Sequence, residues 1–176
     1  TFETITHEYR RKQQLNQYWE NLSTDINQMT VQTFQYVQND RLSNDFESLK
    51  VQLTSYQTVR ESVGQADKNL SDLRQLRRKF GEKFDELRQH NHVDEDKCPF
   101  CNNQFDSFVD LKNSYNNYTD YLTEISSRDS QRLQEVQLSL NSRIQQVKQK
   151  ITDEINSLTT NIDKKLLDRL QELSGS

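Results

Sequence analysis

The sequence is poor in the residues that turn, close or bury a chain. Three glycines and one proline in 176 residues leave almost no turn material. Apolar residues make up 31%, against roughly 45–50% in an ordinary soluble domain, which excludes a closed globular core of this length. Nowhere do about 18 apolar residues run together, so no transmembrane helix and no membrane partner is expected. No secretory leader is legible, the chain opens on Thr1, and Ser174-Gly175-Ser176 reads as a cloning tail over 174–176. The expectation is a piece of a longer protein. A net charge of −4 gives nothing that recruits nucleic acid or an anionic surface. There is no Gly-rich phosphate loop and no Ser/His/Asp set. No catalytic or cofactor-binding residues are therefore assigned, and the chain is not expected to be an enzyme.

What is present is amide and period. With 15 Asn and 20 Gln, the surface stays wet without strong charge. Apolar residues recur in steps of three and four through Leu42, Phe46, Leu49, Leu53, Tyr56, Val59, Val63, Ala66, Leu70, Leu73, Leu76, Phe80, Phe84 and Leu87. Upstream, Leu15, Trp19, Leu22, Ile26 and Met29 continue the stripe, and a second one runs from Leu111 to Leu173. Periodicity sustained this long predicts an all-α chain, a long antiparallel intrachain coiled-coil hairpin. Its ascending arm spans 1–92, its tip 93–106 and its descending arm 107–173. Folding at Pro99-Phe100 sets Phe84 opposite Tyr115, Val59 opposite Leu140 and Leu42 opposite Leu158. The first arm is the longer, so residues 1–22 are expected to lack a partner within the chain. A polar stretch, Ser126 to Arg132, faces Ala66 to Leu70 beside Gly64 and marks either a kink or a wet turn of coiled coil. The basic run Arg74, Arg77, Arg78, Lys79 and Lys83 is interleaved with Glu82, Asp85 and Glu86. That pattern predicts a solvated face with intrahelical ion pairs and not a DNA surface.

Chemical specificity sits in the tip, where Cys98-Pro99-Phe100-Cys101 holds both cysteines of the chain. A Cys-x-x-Cys turn aims two sulfurs at one point, half of a tetrahedral Zn²⁺ shell. Either a second copy brings its own Cys98 and Cys101 to one shared zinc, or His90 and His92 complete a site within one chain. The shared site is preferred, because a ligand pair at an apex faces outward. The intrachain site defines the alternative, a coiled-coil scaffold whose zinc knuckle recognises another protein. A redox reading of the cysteine pair lacks the βαβ frame that lowers a cysteine pKa in disulfide oxidoreductases. Val93, Phe100, Phe105 and Phe108 are expected to form the small core that closes the hairpin end.

A Cys-Pro-x-Cys turn midway along an antiparallel coiled coil resembles the zinc hook of SMC-like DNA-repair ATPases, the SbcC-type exonuclease subunits and their eukaryotic relatives. The likeness covers the whole chain in architecture but only Cys98, Pro99 and Cys101 as a motif. That family often places Gly soon after the second cysteine, whereas this chain has Asn102-Asn103, and Asn tolerates left-handed backbone angles. The resemblance implies a hook that tethers two copies through zinc. It also implies an ATPase head formed by the chain ends, a nuclease partner, DNA ends as the object, and an intracellular setting in cytoplasm, nucleoid or nucleus. Related defence or phage ATPases stay open.

Overall fold

The heptad stripes become helices in the structure, a computed structural model that describes residues 2–90, 92–98, 100–158, 168–169 and 172. The fold is all-α, with α1 at Phe2–Asn21, α2 at Ser43–Gln89, α3 at Phe108–Ser157 and a 3-10 turn at Val31–Phe34. Among the described residues the only β pairing is an isolated bridge between Lys97 and Gln104. No described helix is long and apolar enough to cross a membrane. The chain divides into two units, one from residues 1–56 with 136–176 and one from 57–135.

In the first unit the arm expected over 1–92 is not a single helix. The chain leaves helix at Asn21, where Ser23 Oγ donates to the Trp19 carbonyl at 2.8 Å and Asp25 Oδ1 accepts the Asn27 N–H at 2.7 Å. Such short polar side chains give the backbone an alternative to the next helical bond. Helix resumes after Asn39, whose φ of 62° turns the chain, and Asp40, whose carboxylate accepts the Leu42 N–H at 2.9 Å ahead of α2. Residues 1–22 are consequently not without a partner. Leu15, Tyr18 and Leu22 are buried with Phe34, Phe46, Leu49, Leu53, Leu140, Val147 and Ile151. Each such side chain contributes about 1.5–3 kcal/mol. Tyr18, not Trp19, takes the core position; Trp19 is 41% exposed, with Lys148 Nζ 4.0 Å from its ring centroid.

The second unit has a thinner core. Val63, Phe84, Leu111 and Leu122 are buried, but Leu76 is 64% and Leu87 44% exposed. Polar cross-links join its two helical segments. Arg77 donates to the Tyr115 carbonyl at 2.6 Å and stacks on the Tyr115 ring, and the Tyr115 hydroxyl donates back to the Arg77 carbonyl. Arg74 donates to the Leu122 carbonyl and Ser126 Oγ to Asp67, at 3.3 and 2.8 Å. Partners on α3 advance as those on α2 recede, the order of an antiparallel pair. They lie about one to two helical turns nearer the tip than folding at Pro99-Phe100 would place them. The fold-back expectation rested on one proline, whereas register depends on the whole segment between Gln89 and Phe108. Both helices run unbroken past Gly64 and Ser126, so the polar stretch is bonded across and does not interrupt α3.

Candidate metal half-site at the cysteine turn

The turn is built from the ends of α2 and α3 inward. Beyond Gln89 the His92 N–H donates to the Leu87 carbonyl at 3.0 Å and closes off the helix. On the other side Ser107 caps α3: its Oγ accepts the Asp110 N–H at 3.2 Å and donates to the Asp110 carboxylate at 2.6 Å. Between them two extended segments pair, with the Phe105 N–H donating to the Asp96 carbonyl and the Cys98 N–H to the Asn103 carbonyl, both at 2.9 Å. The Asn102 N–H closes the loop onto the Cys98 carbonyl at 2.8 Å, and Asn102 holds φ at 62°. That is the left-handed angle for which Asn can substitute for Gly.

Cys98 is half-buried, Cys101 is exposed, and both are free thiols. They lie 3.5 Å apart, too far for the about 2.05 Å of a disulfide. The edge of a tetrahedron with 2.3 Å Zn–S arms is about 3.8 Å. That spacing alone equally suits a reduced dithiol, so the backbone around it matters more. Burial pushes the Cys98 thiol up, but hydrogen bonds to its sulfur from the N–H groups of Cys101 and Phe100, and from the Cys101 side chain, outweigh burial and hold it below the ordinary thiol value. Donors aimed at a sulfur orient it and favour its thiolate, the form that binds metal. The donor set therefore fits half of a soft tetrahedral site.

No group of three or more His, Cys, Asp or Glu able to hold a metal ion occurs among the described residues. His90 and His92 are exposed, with ring centroids 6.1 Å apart, and do not join the cysteines in such a group. The neighbouring acids have other partners: Glu95 faces Arg88 at 3.6 Å, and Asp96 accepts from Gln104 at 2.7 Å.

Of the four apolar residues expected to close the hairpin end, Val93, Phe105 and Phe108 are half-buried and Phe100 is not. Phe108 packs against Phe84 with ring centroids 6.5 Å apart, but Phe100 is 84% exposed and touches Phe80 only edge-on, at 6.0 Å. Behind Cys98 lies a cavity of about 190 Å³ whose wall includes Phe80, Phe84, Phe108, Leu111 and Tyr115. Phe80, Phe84, Leu111 and Tyr115 lie on the apolar stripes legible in the sequence, but the space between them is not. Of the basic run, Arg78 and Lys83 make the expected pairs with Glu82 and Glu86 at 3.8 and 2.7 Å, while Arg74 and Arg77 reach across to α3.

Comparison with protein-family models, with curated proteins and with solved structures finds no match to this chain.

Proposed function

We propose that this chain is a zinc-mediated dimerisation module, in which Cys98 and Cys101 of two copies hold one Zn²⁺ at the tip of an antiparallel coiled-coil hairpin formed by α2 and α3. The observation that carries the reading is an exposed turn with two adjacent free thiols, Cys98 held toward its thiolate by backbone N–H donors, and no third ligand among the described residues. Structural zinc takes four ligands, so a site with two is completed from elsewhere. The bound metal would supply a soft four-thiolate link between chains. This chain's residues do the rest: the loop closed by Asn102 aims the sulfurs, and the Phe100 and Cys101 N–H groups offset the charge of the Cys98 sulfur. The wider setting rests on the resemblance of Cys98-Pro99-x-Cys101 between helical arms to the zinc hook. It comprises an intracellular SMC-like ATPase acting on DNA double-strand breaks with a nuclease subunit. The module itself is structural and not catalytic.

Zinc per chain, measured together with oligomeric mass, tests the proposal. One Zn²⁺ per two chains is expected, in a dimer that a chelator dissolves and that Cys98→Ser or Cys101→Ser abolishes. His90→Ala and His92→Ala leave both quantities unchanged. One zinc per monomer, lost on changing either histidine, overturns the shared site in favour of the intrachain knuckle.

A further inference from the structure

The tip carries both a cavity walled in part by Cys98 and an exposed aromatic ring, Phe100. We infer that, when two copies share a metal, Phe100 of each seats in the cavity behind Cys98 of the other. The inference rests on the zinc-bridged reading and extends it from metal ligation to an apolar interlock.

Three observations carry it. The first is position. Thiolates bound to one Zn²⁺ lie within about 4 Å of each other, so the incoming tip delivers its cysteines to the immediate neighbourhood of the receiving Cys98. That cysteine forms part of the cavity wall, and the residue between the incoming cysteines that carries a large apolar side chain is Phe100. The second is fit. The cavity measures about 190 Å³ and is half open to solvent; it is on the scale of the roughly 150 Å³ apolar cavity that accepts benzene, and its surface is mainly apolar although Asp85, Lys112 and Asn116 share the wall. The third is that Phe100 does not fill the cavity of its own chain. Its N–H is engaged by the Cys98 sulfur, and its ring stays 84% exposed beside Phe80 at the rim. A two-fold dimer makes the exchange reciprocal, since the same patch serves both copies. An aromatic anchor in a pocket at the centre of a small interface is the arrangement that dominates binding energy.

The full chain tests this by sedimentation equilibrium in excess Zn²⁺, with Co²⁺ absorbance as a separate reading of thiolate ligation. Phe100→Ala empties both reciprocal seats of the dimer and should raise its Kd roughly 100-fold or more. At high chain concentration it should still saturate at one metal per two chains with an unchanged Co²⁺ spectrum. Gly81→Leu should do the same from the receiving side. Gly81 lines the cavity, and a Cβ placed there meets nothing within 4 Å, so the longer side chain has room to fill it. The double variant should be no weaker than the weaker single variant, because both remove one contact. Phe100→Leu should recover part of the affinity, and it decides the matter if Gly81→Leu loses helicity. Kd values within twofold of wild type for Phe100→Ala overturn the interlock while the shared metal stands. No metal-bridged dimer in the wild type overturns the shared metal itself, and the interlock with it.

Discussion

At Arg11 three segments of the first unit meet. Its guanidinium donates to both carboxylate oxygens of Asp40 and both of Glu154, joining α1, the turn before α2 and the last turns of α3. Asp40 is buried and also accepts the Tyr18 hydroxyl at 3.0 Å. Burial pushes the Asp40 carboxyl up, but bonds from Arg11, the Leu42 N–H and Tyr18 outweigh it and hold the carboxyl below the ordinary 3.8. For Arg11 burial works against the charge, and its bonds to Glu154 and Asp40 more than offset it, so its pKa is raised. A carboxyl depressed on folding stabilises fully above its unfolded pKa, and that stabilisation is lost as pH falls through the folded value. The Asp40 contribution should therefore be complete above about pH 4 and fade below it. Arg11→Met leaves Asp40 buried without its cation and should cost about 2–4 kcal/mol at pH 7. Urea unfolding at pH 7 and pH 3 measures this; the gap between variant and wild type should narrow at pH 3. A gap independent of pH would show that Arg11 acts only through packing.

The helices show where sequence reasoning has purchase and where it stops. The cores of α2 and α3 were legible because Phe46, Leu49, Leu53 and Tyr56, then Leu140, Ile144, Val147 and Ile151, repeat in helical steps and are buried. The interruption after Asn21 was not, because Leu22, Ile26 and Met29 keep the same spacing while the chain around them turns and still buries all three. Tyr18 and Trp19 are adjacent large aromatics, and period alone does not separate them; the partners of the Tyr18 hydroxyl, the Val37 N–H and Asp40, do. At the tip the paired cysteines and the tolerance of Asn102 for a left-handed angle were readable. The cavity was not, since it depends on how far apart two helices stand. Two helix-level effects follow. Ser107→Ala removes the cap of α3 and should cost about 1 kcal/mol. Gly64→Ala should stabilise by about 0.5–1 kcal/mol, because a Cβ there meets nothing within 4 Å and the unfolded chain loses freedom. Thermal unfolding by circular dichroism reads both; destabilisation by Gly64→Ala would mean that α2 needs that position bare.

For the whole molecule, charge bears on self-association. The net charge is −4, and the tip carries Asp94, Glu95, Asp96 and Asp106 against Lys97. Two like-charged tips brought to one metal repel, and salt screens that repulsion over about 10 Å at 0.1 M. The proposed zinc-linked dimer should accordingly tighten between low and moderate salt in sedimentation experiments, and weakening over that range would point to attractive ion pairs across the contact. The unequal cores of the two units have a thermal consequence. Unfolding heat capacity follows the apolar surface released to water. The first unit hides fully buried Phe34, Phe46 and several leucines, while the second leaves Leu76 and Leu87 largely wet. A calorimeter and a dichroism signal should then disagree about this protein: ellipticity counts every helical turn alike, whereas the heat-capacity step registers mainly the melting of the first unit.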